Sequence, residues 1–268
     1  MSNSSNKRRR PLRHLSAAAQ SMAAIAALFA LWEAVVRLFS IPAFILPAPS
    51  AIWTAVLHMP AGSLTKHLAA TVGTVLLGFA LSIAISLPLA ILITSSRAVS
   101  RILYPLLILT QSIPKVALAP ILIIALGANE LPRVLVTFLV AFFPLVVATA
   151  SGLLAAPPEL IELGRSYRAS KLKELLRIRL PYAIPFIFSG LKVASALAVV
   201  GAVVAEFVAA DRGLGYLITT SMAFFETPVA WGAVVLLAFL GMALFALIGL
   251  IEKVLFPWAI VEEPLATT

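Results

Sequence analysis

The stretch ELGRSYRASKLKELLRIRLP, from Glu162 to Pro181, carries six basic residues (Arg165, Arg168, Lys171, Lys173, Arg177 and Arg179) in a chain that is otherwise mostly hydrocarbon. Few other residues have types that do chemistry. Lys115 lies in QSIPKVALAP, Lys192 follows Ser189 and Gly190, Glu206 stands near the end of the same apolar run, and Glu33 and Arg37 are spaced to pair on one helix face. His14, His58 and His67 do not fall at metal-ligand spacing, and there is no cysteine to supply a thiolate or a disulfide. No H-E-x-x-H or other hydrolase pattern occurs, so an intramembrane enzyme lacks its residues. There is also no G-x-x-x-x-G-K-[ST] phosphate loop, so this chain is expected to bind no nucleotide cofactor and to hydrolyse none. What remains is the chemistry of charges set within or beside apolar segments.

The elements that must position those charges are membrane spans. Hydrophobic residues make up 62% of the 268 positions and charged residues only 12%, about half the share of a soluble domain. A span needs about 20 mostly apolar residues. Six candidates meet this, at 17–39, 67–94, 102–126, 134–155, 184–207 and 230–255. All are expected to be helices, because a lipid interior satisfies no backbone polar group from outside. The first run follows the basic segment MSNSSNKRRRPLRHLSAAAQ. It is longer than the apolar region of a signal peptide and holds Glu33 and Arg37, so it reads as a retained span rather than a cleaved leader.

The formal charge of +9 invites a nucleic-acid partner, but the basic residues cluster in short loops between apolar runs, which is a topology signal instead. With the N-terminus in the cytoplasm, fourteen Lys and Arg residues fall on that side, against four (Arg37, Lys66, Arg133, Arg212) on the other. Both termini and the 162–181 stretch are therefore placed in the cytoplasm. The chain divides into a basic tail (1–16), a membrane domain (17–257) and a cytoplasmic C-terminal tail (258–268). On the outer side, three prolines in IPAFILPAPSAIW argue against a continuous helix, and DRGLGYL suits a turn leading into a short surface helix. No internal repeat is evident.

Within the basic stretch, Pro157 and Pro158 suit a helix start. Leu160, Leu163, Gly164 and Tyr167 then share one helix face. Arg168 and Ala169 form a turn, and Ser170 is the expected N-cap of a second helix. Leu172, Leu175, Leu176 and Leu180 give that helix an apolar stripe, and Pro181 and Pro185 are expected to end or kink it where it enters the membrane. A basic hairpin of this kind could simply lie on anionic headgroups. The pattern is more specific than that. Glu162, Leu163 and Gly164, then Arg168 after three intervening residues, then Ile178-x-Leu180-Pro181 after nine more, resemble the EAA loop of permease subunits in binding-protein-dependent ABC importers. The loop also falls between spans four and five, as in that family. The segments ILPAPSAIW, QSIPKVALAPILII, LPYAIPFIFSGLKVA and AEFVAADRGLGYLI resemble the subgroup serving nitrate, sulfonates, taurine and related small solutes, so that the likeness covers residues 20–257.

The resemblance implies an all-α membrane protein with about six transmembrane helices, the type I ABC importer permease fold, in a bacterial-type plasma membrane. It implies a coupling loop at about 157–183 that docks on cytoplasmic ABC ATPase subunits carrying ATP and Mg, a substrate-binding protein on the other side, and a second permease copy forming a homodimer. Glu162 would contact the ATPase, Gly164 would allow close packing of the loop helices, and Ala169 and Ser170 would set the docking tip. Leu163, Tyr167 and Leu172 would fill a groove in the ATPase. The family has Gly where this chain has Arg168. Either the turn is built differently here, or Arg168 carries the strain of a positive φ.

Other residues admit two readings each. Gln111, Pro114 and Lys115 sit where Pro114 and Pro120 break span three, which suits a translocation path, although a lysine near the end of a span also snorkels. Lys192 either faces the path or snorkels. Ser189, Gly190 and Gly201 suit tight helix packing, Glu206 suits an interfacial ion pair, and Glu33 and Arg37 suit a structural pair. A gradient-driven secondary transporter is the competing function. The substrate classes suggested by the resemblance are small anions of the sulfonate, taurine or nitrate kind, and heterocycles such as thiamine-pyrimidine precursors or riboflavin. The wording of IPKVALAP and DRGLGYLI leans towards the heterocycles.

Overall fold

The computed structural model describes residues 10–259, and these contain helices and no strand. In chain order the helices are α1 (Arg10–Leu38), α2 (Pro49–Leu57), α3 (Ala61–Ser95), α4 (Arg97–Ser112), α5 (Leu118–Leu126), α6 (Glu130–Leu154), α7 (Pro158–Ser166), α8 (Lys171–Glu174), α9 (Leu180–Ala209), α10 (Leu214–Ala223) and α11 (Thr227–Leu255). A 3₁₀ turn (Lys115–Ala117) precedes α5, a π turn (Leu175–Arg179) joins α8 to α9, and a second 3₁₀ turn (Pro257–Ala259) follows α11. Most of the expected N-terminal tail's charge (Lys7, Arg8 and Arg9) and residues 260–268 of the C-terminal tail lie outside the described residues.

Four described helices are long and apolar enough to cross a membrane: Gly62–Ser95, Glu130–Leu154, Lys171–Val208 and Thr227–Leu255. The pair Ala98–Ser112 and Lys115–Leu126, bent by 73°, meets the same measure only when taken together, as a broken span or a re-entrant loop. The bend falls at Ile113–Pro114, where Pro114 is extended at φ −63°, ψ 100°. The remaining expected span, 17–39, falls almost wholly within α1, whose 29 residues would reach about 43 Å. The second span starts earlier than its apolar run, since α3 is helical from Ala61.

The chain forms two compact units. One extends to Pro60 and takes in Thr220–Gly232; the other holds Ala61–Thr219 and the chain from Ala233 onward. In the first unit the Glu33 carboxylate accepts from Arg37 Nε at 2.6 Å, from Ser50 N at 3.0 Å and from Ser50 Oγ at 2.7 Å. The expected Glu33–Arg37 pair thus also holds the first turn of α2, where an anion is favoured by the free amides. Trp32 packs edge-on against Trp231, with centroids 5.5 Å apart.

In the second unit α6 packs against both α3 and α9. The contacts are made close by small residues, which let helix backbones approach where lipid gives no hydrophobic drive for association. A Cβ on Gly201 would stand 2.9 Å from Thr137 Cα, and one on Gly190 would stand 2.6 Å from Ala148 Cβ. Ser82 and Ser86 of α3 add hydroxyl bonds to the Phe138 and Phe142 carbonyls of α6 at 3.2 and 3.0 Å. Ser189, expected at the same interface, is instead exposed; it lies one residue round the helix from Gly190, which is the side that faces α6.

Candidate functional site: the basic hairpin

The hairpin's turn is set by its backbone. α7 starts at Pro158, where the missing N–H leaves no bond unmade. Its last turn closes with Ala169 N bonded to Gly164 O and Arg168 N bonded to Arg165 O, both at 2.9 Å. These are the two bonds of a Schellman motif. Arg168 occupies its left-handed position at φ 54°. Of the two readings open for Arg168, the structure has the family-like turn with a non-glycine residue in it. Ser40 and Phe225, also at positive φ, end α1 and α10 with the same pair of bonds. Ser170 then caps α8, its side chain accepting from Lys173 N at 3.4 Å.

The two arms meet where Gly164 leaves room: a Cβ there would stand 2.8 Å from Ile178 Cδ1. Behind this contact lies Glu174, which is buried. It takes Arg165 Nε at 3.2 Å and Arg179 Nε and Nη2 at 2.9 and 2.8 Å. Arg179 also donates to the Leu153 carbonyl at 3.3 Å, tying the hairpin to the end of α6. Sequence reasoning missed this carboxylate clamp. The available signal was one acid, Glu174, set among six bases.

Of the two outcomes expected at Pro181 and Pro185, an end or a kink, the structure rules out the end. Lys171–Val208 is one continuous helix. The reason is the π turn before Pro181. Proline lacks its own N–H and crowds the carbonyl four residues back. Widening the turn moves the bonds to five-residue spacing, as in Leu180 N to Leu175 O, and the helix passes the proline without breaking. Leu175 and Leu180 pack on Leu153 and Ala183.

The outer surface of the hairpin is apolar at its tip and basic around it. Tyr167 is 82% exposed, Leu172 63% and Leu163 54%. Glu162 is exposed, and among the described residues its carboxylate forms no ion pair. Ala169 is half-buried, and Ser170 and Pro181 are exposed.

Three other charged positions singled out in the sequence, Lys115, Lys192 and Glu206, have partners. Lys115 donates to Gln111 at the bend of the broken span, with Phe143 beneath its ammonium at 6.0 Å. Gln111 and Pro114 are exposed there. Lys192 pairs with Glu252 of α11 at 2.6 Å and lies over the Phe245 ring. Glu206 forms no ion pair within 4.0 Å among the described residues, contrary to expectation. It is buried and accepts from Thr71 Oγ1 at 2.8 Å and from Gly215 N at 2.7 Å. Thr71 Oγ1 in turn accepts from Leu214 N at 2.7 Å, so neutral donors, the Thr71 hydroxyl of α3 and the Gly215 amide of α10, hold the carboxylate. Gly213, at φ 127°, is needed there because a Cβ would overlap the Glu206 carboxyl.

The family model for the binding-protein-dependent transport system inner membrane component matches residues 84–260, hairpin included. The chain belongs to this family. It is a permease subunit of an ABC importer. The formylaminopyrimidine transport permease ThiX of Halalkalibacterium halodurans is 35% identical over 231 residues, 86% of this chain and 92% of its own length. The riboflavin transport permease RibX of Chloroflexus aurantiacus is 37% identical over 235 residues, 86% and 87% of the two chains. The taurine permease TauC of Escherichia coli is 28% identical over 244 residues, 89% of each. A solved inward-facing structure of the MetNI methionine ABC transporter aligns with a TM-score of 0.63 at 18% identity, over 74% of this permease and 96% of that chain. That likeness shows the fold, that of a type I importer permease; the inner-membrane setting comes from the family itself.

Proposed function

We propose that this permease is driven by a separate cytoplasmic ATPase docked on the hairpin at 157–183, and that its cargo is a small nitrogen heterocycle of the pyrimidine or flavin kind. The observation that carries the docking is the hairpin tip. Tyr167, Leu163 and Leu172 stand exposed around the hairpin's turn. Burying each in a partner's groove is worth about 1.5–3 kcal/mol, and an aromatic anchor of this kind typically dominates an interface. Glu162, exposed beside them, is free to meet a cation on the ATPase. ATP and Mg belong to that partner.

The mechanics follow from continuity. The arm that carries the tip runs through the π turn into α9 as one helix of 38 residues, about 57 Å long. A displacement at Tyr167 is carried along it, while Glu174 keeps the two arms together and Arg179 links them to α6. The glycine contacts between α6 and α9 make those two helices move as a pair. The π turn is the place where the lever can flex.

A substrate-binding protein delivers the cargo from outside, and a second copy of the chain completes the path, isologous pairing being the commonest symmetry. The heterocycle reading is supported by ThiX and RibX, the relatives at 35% and 37% identity. The test is uptake of labelled formylaminopyrimidine, riboflavin and taurine by vesicles holding the permease with its ATPase and binding protein. ATP-dependent uptake of a heterocycle supports the reading. Uptake of taurine alone overturns the substrate class, and uptake without ATP, driven by a gradient, overturns the coupling.

A further inference from the structure

Two cavities adjoin at Thr94, and their linings are complementary. The first, about 100 Å³, lies between the end of α3 and both arms of the hairpin; Arg165, Lys171 and Arg179 line it with Glu174 and with Thr94 and Ser95. The second, about 270 Å³, is lined by Ile93, Val147, Ala150 and Leu154 together with Ser96, Ser100 and Ser151. Thr94 lines both. One is basic and the other mainly apolar, and they lie at the cytoplasmic ends of α3 and α6.

We propose that this double crevice binds one anionic phospholipid, its phosphate in the basic pocket and its glycerol and upper acyl carbons in the apolar cleft. Three cations face one carboxylate in the basic pocket, which leaves two positive charges uncompensated. Arg179 is committed to Glu174 and to the Leu153 carbonyl. Arg165 engages Glu174 through Nε, which leaves the outer edge of its guanidinium for a second oxyanion. Among the described residues Lys171 forms no ion pair. A pocket of this volume has room for about three waters, or one phosphate group in their place. Free phosphate would use the same donors. The lipid is favoured because the adjoining cleft is apolar and because the positive-inside orientation puts the pocket at the headgroup level of the anionic leaflet. A bound lipid would connect α3 to both hairpin arms, so the bilayer's composition would bear on the stiffness of the hairpin. This holds whether or not an ATPase docks on the tip.

The test is native mass spectrometry of the purified full-length chain after exchange into mixed micelles of phosphatidylglycerol and phosphatidylcholine with identical acyl chains. The wild type should retain phosphatidylglycerol preferentially. Lys171→Gln should lower that retention about fivefold, the effect of one lysine near a membrane surface, and Lys171→Arg should restore it. Ser151→Leu, which fills the cleft and leaves every charge in place, should lower it as well. Circular dichroism melting confirms that each variant is folded, and Lys171→Arg provides the check if Lys171→Gln is not. Equal retention of the two lipids by the wild type, or unchanged retention in folded Lys171→Gln, would overturn the site. Displacement of phosphatidylglycerol by millimolar inorganic phosphate, with no effect of Ser151→Leu, would make it a free-phosphate site and overturn the lipid assignment.

Discussion

Replacing Arg168 by glycine should make the hairpin more stable. Arg168 sits at φ 54°, where an L-residue with a Cβ is disfavoured by about 1–2 kcal/mol. Its side chain is exposed and enters no ion pair among the described residues, so its loss removes no contact there. Glycine relieves the strain but has more freedom to lose on folding, about 0.5–1 kcal/mol. The net gain is about 0.5–1 kcal/mol, which slows local opening about two- to fivefold. Hydrogen exchange of the detergent-solubilised permease reads this directly, because Ala169 N and Arg168 N are bonded to Gly164 O and Arg165 O and exchange only when the turn opens. Arg168→Gly should raise protection of these amides by that factor. Arg168→Ala, which removes the charge and keeps the strain, should leave it near the wild-type value. Arg168→Val should lower it, since a β-branched residue tolerates positive φ worst. Faster exchange in Arg168→Gly than in wild type would refute the reasoning, because it would mean that the arginine side chain, and not the Schellman backbone, holds the turn.

Glu174→Ala leaves Arg179 half-enclosed without its carboxylate and should destabilise the hairpin by about 3–5 kcal/mol, seen as loss of exchange protection over 171–179 while α6 stays protected. Gly201→Leu must displace the backbone of Thr137, 2.9 Å from the new Cβ, and should lower stability by about 1–3 kcal/mol in a thermal melt of the solubilised chain. Lys192→Met strands the Glu252 carboxylate and should destabilise strongly. The double variant Lys192→Met/Glu252→Met should recover most of the loss, since a buried pair and a packed apolar pair are close in energy; a double variant as unstable as the single would contradict a structural ion pair. Glu162→Lys should abolish ATP-coupled uptake with membrane insertion unchanged, and normal uptake in that variant would remove Glu162 from the coupling contact.

What the sequence disclosed was local. The hairpin was legible because its signals lie within a helical turn or two: Pro158 at a helix start, Ser170 at a cap, and the intervals from Glu162 to Arg168 and from Arg168 to Ile178. Most spans were legible because about 20 apolar residues leave few alternatives in lipid. The remaining contacts depend on chain separation that no window reports. Thr71 and Glu206 are 135 residues apart, and Lys192 and Glu252 are 60 apart, so spacing alone could not show that one carboxylate meets a hydroxyl and the other a lysine. The prolines left two outcomes open for a different reason. Pro181 forbids one hydrogen bond, and a helix can answer by widening into a π turn as well as by ending. Glu174 was overlooked because charge was summed over the hairpin, whereas the structure places that acid between two particular arginines.

The central claim is that the hairpin is the handle of a separate motor. A photo-crosslinking amino acid in place of Tyr167, the most exposed of the tip's apolar side chains, tests it in native membranes, with mass spectrometry of the adduct. The account predicts an adduct with a P-loop ATPase, at a site in a groove of that protein, and loss of the adduct on Leu163→Asp/Leu172→Asp. Crosslinking to lipid alone, with uptake intact and no ATPase recovered even after nucleotide trapping, would contradict it and make the hairpin a membrane-surface loop.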